Sequence, residues 1–192
     1  MIAALYVAKG GVYYGLPDVD PWDEERDARM YDGPWPVVAH PPCARWSRLA
    51  GFTEARFGLK RGEDGGCFLA ALQAVRLFGG VLEHPAYSAA FPYYGLPKPI
   101  HYGGWTHSLL DLGASCYVEQ GRYGLPVKKA TWLYAYGVTL PELRWGYIPD
   151  GDGSDDGGMD SWRRRVAYAE GAATPVEFRD TLLEMARSAV PA

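Results

Sequence analysis

Cys43 stands directly behind two prolines, Pro41 and Pro42, which close the short apolar run Pro36-Val37-Val38-Ala39. Proline fixes φ and offers no N–H, so the next side chain is positioned by covalent geometry as much as by packing. A cysteine held this way is a candidate nucleophile, the thiolate being its reactive form. A second apolar run, Val81-Leu82-Glu83-His84-Pro85, delivers a carboxylate and again breaks at proline. A thiol and a carboxylate presented side by side can attack a ring and handle a proton in one step. His40 and His84 flank the pair, and imidazole titrates near neutrality, so either could lower the thiol pKa or shuttle a proton. The plainer alternatives are a buried structural cysteine and histidines that make only structural hydrogen bonds.

The elements that must position these groups follow from the intervening sequence. Gly62 to Gly80 carries Phe68, Leu72, Val75 and Phe78 at helical spacing, with Gly79-Gly80 as a stop signal. Strand, helix, strand makes a parallel crossover unit, right-handed in nearly all cases. Cys43 and Glu83 then emerge together at the carboxyl edge, where open α/β sheets bind ligands. Ile2 to Val7, Ser115 to Gln120 and Trp132 to Ala135 read as further strands, and Trp105 to Leu112 as a helix stopped by Gly113. A capping box, Thr174-Pro175-Val176-Glu177, opens a last helix with Phe178, Leu182, Met185 and Ala186 on one face. The expected architecture is a single three-layer α/β domain over residues 1–192 with a mostly parallel sheet.

These blocks resemble the catalytic half of DNA cytosine-5 methyltransferases, which share a Pro-Pro-Cys loop, a helix, and a strand ending in Glu-Asn-Val; here the triplet is Glu83-His84-Pro85. A third block, Arg122-Tyr123-Gly124-Leu125-Pro126-Val127-Lys128-Lys129-Ala130-Thr131, is similar to the family's Tyr-Gly-Val-Pro-Gln-x-Arg-x-Arg segment. The resemblance covers roughly residues 36 to 136 and implies a truncated Rossmann-like methyltransferase fold. It also implies a mechanism in which Cys43 adds to C6 of a pyrimidine and activates C5. Glu83, held protonated or sharing a proton with ring N3, neutralises charge as the adduct forms, which calls for a raised carboxyl pKa. Substrate contacts would come from Pro42, Arg45 and Ser47 behind the thiol. Where the family has Gln and two arginines this chain has Val127, Lys129 and Thr131, so Arg122, Lys128 or Lys129 would have to grip the base, and lysine lacks the planar two-donor fork.

The resemblance further implies S-adenosylmethionine as cofactor, or another one-carbon donor. The family's glycine loop would correspond to Ala8-Lys9-Gly10-Gly11. Its ribose-holding acid would correspond to Asp20 or Asp23, in a run Asp20-Pro21-Trp22-Asp23 that also reads as a capped helix start with Pro21 at the first helical position. The interval of residues 137–165, where the family carries a domain that reads DNA sequence, is short here. Its centre, Asp150 to Gly158, is rich in Asp and Gly and too small to read a long site, so DNA with weak sequence preference is the expected partner. That acidic run misses the calcium-loop pattern. Trp162 with Arg163-Arg164-Arg165 suits base and phosphate contacts.

The chain has a net charge of −4, which opposes indiscriminate phosphate binding. Charge is uneven, however: Ala44 to Gly62 holds Arg45, Arg48, Arg56, Lys60 and Arg61 against Glu54 alone. With Gly51, Gly58 and Gly62 as hinges, this stretch could close over a flipped base, or it is a solvated surface loop. Cys43, Cys67 and Cys116 are odd in number and lack metal-ligand spacing, so no metal site is expected, and so low a count suits a reducing compartment. No N-terminal apolar stretch is long enough for a signal peptide or membrane span, and a cytoplasmic location is expected. Two other readings stay open: a catalytically inactive relative that binds a base or a partner protein, and an enzyme of free pyrimidine nucleotides.

Overall fold

The computed structural model describes residues 1–48, 50–58, 60–125, 128–146 and 173–190. Seven strands form one mixed sheet: β1 (Ile2–Leu5), β2 (Val19–Trp22), β3 (Val37–Ala39), β4 (Gly80–Pro85), β5 (Thr106–His107), β6 (Ala114–Glu119) and β7 (Ala130–Tyr136), in the order β2-β1-β3-β4-β7-β6-β5. The first four are mutually parallel, β7 runs against β4, and β6 runs against β7. Five strands therefore share one direction, with β7 reversed between β4 and β6 and the short β5 reversed at the edge.

Alternation along the strands divides the interior into two apolar layers. Leu5, Ala39, Leu82 and Trp132 face α2 (Cys67–Phe78), which buries Phe68, Leu72 and Val75 against them. Ile2, Ala4, Val38, Val81 and Leu133 form the other layer with the last helix, α4 (Val176–Arg187), through Phe178, Leu182 and Leu183. Burying each of these side chains stabilises the fold by roughly 1.5–3 kcal/mol, so the three-layer arrangement is carried by these two faces. Two short helices, α1 (Ala50–Phe57) and α3 (Ala90–Tyr93), complete the α-helices among the described residues.

The crossover expected from Pro36 to Pro85 is present as β3-α2-β4, with Ala39 opposite Leu82. It depends on Gly80, whose φ is +138° and where an added Cβ would lie 1.9 Å from the Val37 carbonyl oxygen.

Three local expectations are corrected. Pro21 does not stand at the first helical position: Asp20-Pro21-Trp22 lies in β2, an edge strand whose outer side leaves the missing proline N–H without consequence, and it is Asp23 that caps the short 3₁₀ turn Glu24–Arg26. Trp105 to Leu112 is not a helix but β5 and a turn in which Leu109, Leu110 and Leu112 are all exposed, so their spacing marks no buried face. The last helix is entered through Pro175, with no side-chain cap from Thr174. Of the short 137–165 interval, the described part packs Leu143 into the layer under α4; Asp150 to Gly158, Trp162 and the three arginines lie outside the described residues, as does Val127. No described helix is long and apolar enough to cross a membrane.

Candidate active site

The order of the sheet reverses between β1 and β3, and the carboxyl ends of strands at such a reversal are where open α/β sheets bind ligands. Parallel registration brings the residues after β3 and the end of β4 to that same edge, and His40 N still donates to Leu5 O at 3.0 Å. Behind Pro41-Pro42 the chain turns at once: the Cys43 carbonyl accepts from Trp46 N and Ser47 N, each at 2.9 Å. Trp46 anchors this turn. It is buried, its indole N–H donates to Asp64 Oδ2 at 2.8 Å, and its ring packs on Phe68, Tyr93 and Tyr94. Cys43 is thereby left half-buried at the rim, whereas Cys116 lies in the core.

Glu83 is buried, and both its oxygens are engaged. Oε1 accepts from Gln120 Nε2 at 3.0 Å and from the Thr131 hydroxyl at 3.4 Å; Oε2 lies 3.1 Å from His40 Nδ1. The far nitrogen of His40, Nε2, is 2.8 Å from the hydroxyl of buried Tyr13. Burial, with the Glu83 charge added, holds the Tyr13 phenol well above its ordinary range, so it is protonated and able to donate. The consistent assignment is Tyr13 O–H donating to Nε2 and His40 Nδ1–H donating to the carboxylate, a line of two hydrogen bonds ending on Glu83.

Electrostatics departs from the expected state of the carboxyl group. Burial is the largest influence on Glu83 and favours the neutral form. The hydrogen bond donated by His40, with the Lys129 charge, outweighs it and holds the carboxyl below its ordinary value. Glu83 is thus ionised at rest, not protonated. Burial pushes the Cys43 thiol above its ordinary range; the Glu83 charge adds to this, and the Lys129 ammonium opposes it. Burial in turn lowers Lys129, against the pull of Glu83 and Cys43. Cys43, Glu83 and Lys129 therefore lie within electrostatic reach of one another, with the Lys129 amine donating to Ala173 O at 2.9 Å and its backbone in the left-handed region at φ +40°.

The other sequence candidates fall in different places. His84 projects to the opposite face of the sheet from Glu83, packs edge-on against Phe68, and makes no well-formed hydrogen bond at either ring nitrogen, the Pro42 backbone being its polar neighbour; burial lowers its pKa to about 4. It is a neutral core residue, not part of the Glu83 cluster. Pro42 is exposed and Ser47 caps the turn through its backbone. Arg45 lies on the same turn with Nη1 buried and unpartnered. Arg122 is engaged with Gly146 O at 3.0 Å, and Lys128 is half-buried.

The proposed cofactor residues do not fit a ribose as they stand. Asp20 accepts from Trp22 Nε1 at 2.8 Å and Arg26 Nη1 at 2.5 Å. Asp23 caps a short 3₁₀ turn, accepting from Glu25 N and Arg26 N, and takes the Tyr14 hydroxyl at 2.5 Å. Every oxygen of the two carboxylates is already engaged by a protein donor. Gly10 and Gly11 lie in a tight turn after β1, Gly11 N donating to Ala8 O at 2.9 Å, and a Cβ at Gly10 would meet nothing.

Gln120, Thr131 and Tyr13 were not singled out as chemical groups by the sequence. Thr131 sits where the resembling family carries an arginine, which is the only local signal among the three. Compared with family models, curated proteins and solved structures, the chain gives no match to any of them.

Proposed function

We propose that this chain forms a covalent adduct between Cys43 and C6 of a pyrimidine, cytosine in DNA being the substrate, as the first half of a transfer to C5. One observation carries the reading: Cys43 stands half-buried behind β3, within electrostatic reach of Glu83 at the end of the adjacent parallel strand. The truncated Rossmann-like methyltransferase fold belongs to the same proposal, supported by the β3-α2-β4 crossover and by the switch of strand order beside the site.

The protonation states set the order of events. The thiol carries a proton at rest and the carboxylate does not, so the Cys43 proton passes to Glu83 and on to ring N3. Sulfur bonds to C6, the C5=C6 π pair moves to C4–C5, and the C4=N3 pair takes the proton. The product is an enamine with electron density at C5. Gln120, Thr131 and His40 fix the carboxylate for this exchange, and Lys129 favours the thiolate as it forms. Reversal after C5 takes up a solvent proton exchanges the C5 hydrogen with water, an activity that needs no group donor.

Two assays test this. DNA containing zebularine gives a denaturation-resistant complex that Cys43→Ala abolishes, DNA containing 5-fluorocytosine gives one once a donor has alkylated C5, and cytosine in DNA loses its C5 hydrogen label to solvent. Candidate donors, S-adenosylmethionine first, are then added and the product weighed by mass spectrometry. Turnover of dCMP or dUMP with DNA inert points to an enzyme of free nucleotides. Inertness toward every pyrimidine overturns the enzymatic reading in favour of a base-binding relative.

A further inference from the structure

We propose that the surface flanking the Cys43 turn is a docking face for single-stranded DNA, with unpaired bases stacking on exposed rings that stand beside arginines. This rests on the reading that the substrate is a pyrimidine in DNA, and adds the strand state. The first observation is α1. Ala50 is its only buried residue among those whose side chains are described, and Phe52 and Phe57 are 59% and 58% exposed. Two phenylalanines on one short helix, turned to water just after the Cys43 turn, mark a surface that something covers.

The second observation is how these rings are accompanied. The Arg56 guanidinium lies 5.8 Å from the Phe52 ring and 5.4 Å from that of Phe57, and Arg48 lies 5.5 Å from the ring of Tyr87. Arg48 thus ties the α1 segment to the loop after β4. Tyr93, 72% exposed, leans on Trp46 at 5.2 Å between centroids. Exposed rings therefore stand on both sides of the turn that holds Cys43. The segment is closed on itself by Gly62 N donating to Arg45 O at 3.0 Å, so it projects as one unit.

Charge selects the occupant. Residues 44–62 hold five cations and one carboxylate within a chain of net charge −4; Lys60 is paired with Glu63 at 3.3 Å, and the four arginines keep this face attractive to a polyanion while the rest of the molecule repels one. A duplex hides the faces of its bases and offers these rings nothing to stack on; an unpaired strand presents a π-face at every nucleotide. Rings interleaved with cations therefore favour the single strand.

The test is fluorescence anisotropy with the full chain and a labelled mixed-sequence oligonucleotide, single-stranded or annealed to its complement, at one salt concentration. The single strand binds about tenfold or more tightly than the duplex. Phe52→Ala with Phe57→Ala weakens single-strand binding about tenfold and leaves duplex binding unchanged, and Trp at both positions restores it. Both positions are exposed, so thermal melts match the parent. Equal or tighter duplex binding overturns the proposal, as does binding that survives both alanines, tighter binding of the equivalent RNA, or displacement of the oligonucleotide by poly-glutamate as readily as by unlabelled DNA. Covalent trapping on duplex zebularine DNA without a single-strand preference sinks the docking face and leaves the chemistry standing. Single-strand preference without trapping does the reverse.

Discussion

His40 Nδ1 lies 3.1 Å from Glu83 Oε2, joining the residue that follows β3 to the residue near the end of β4 across a parallel strand pair. The contact makes the carboxylate part of the sheet edge, because one oxygen is fixed from β3 and the other from β6 and β7 through Gln120 and Thr131. A buried carboxylate with both oxygens engaged is rigid and ionised, and the thiol beside it must work against that charge.

Acid should weaken the protein through Glu83. Its folded pKa is lowered below the ordinary value, so its contribution is fully present above the unfolded pKa and is lost as pH falls through the folded one. Glu83→Gln, which keeps the shape but not the charge, is expected to cost about 2 kcal/mol near neutrality. Denaturant titrations of parent and variant should converge as pH falls below about 4, the range of an ordinary carboxylate. A difference that stays constant well below that range contradicts the assignment.

The same charge sets the reactivity of Cys43. Iodoacetamide alkylation, followed at the Cys43 peptide by mass spectrometry, should be slow at neutral pH because burial and Glu83 both hold the thiol protonated. Glu83→Gln removes the repelling charge and should speed alkylation about threefold or more; Lys129→Met removes the opposing ammonium and should slow it by a similar factor. Rates that move together in the two variants would mean that access, not charge, controls the sulfur.

Trp46 sets the shape of the turn. Replacing it with Ala removes a buried ring packed on three aromatic neighbours and should cost about 3–5 kcal/mol. Phe keeps the packing and loses the bond to Asp64, for about 1 kcal/mol. Proteolysis near residues 44–48 should rise in the Ala variant and stay at the parent level in the Phe variant.

At Gly80 the backbone itself is at stake. A side chain there meets the Val37 carbonyl at 1.9 Å with φ at +138°, so Gly80→Ala must part β3 from β4 or twist the strand. The expected loss is about 3 kcal/mol or more, read as a lower denaturation midpoint.

Legibility in the sequence followed the range of the interaction. The β3-α2-β4 unit could be read because Phe68, Leu72 and Val75 repeat at helical spacing and all three are buried. Asp20-Pro21-Trp22 misled because proline at an edge strand and proline at a helix start look alike in one dimension. Leu109, Leu110 and Leu112 misled because apolar spacing predicts a face only if something packs on it, and here nothing described does. Tyr13, Gln120 and Thr131 reach Glu83 through pairing across β4, β7 and β6 and through the loop after β1, a relation set by register and not by any local pattern.

His84 gives the sharpest contrast with Glu83, since adjacent strand residues face opposite layers. It is wholly buried, packs on Phe68, and has a pKa lowered to about 4 by burial, with the Glu83 charge opposing. The folded state keeps the ring neutral while the unfolded chain takes a proton near pH 6.5, so stability falls with pH between about 6.5 and about 4, by on the order of 3 kcal/mol. His84→Phe removes that titration, and removes from the core two nitrogens that make no well-formed hydrogen bond. The variant should be no less stable at neutral pH and should lose the upper part of the acid-sensitive limb in thermal melts, leaving the part due to Glu83. It should also trap zebularine DNA as the parent does, whereas a proton shuttle at His84 would make trapping fail.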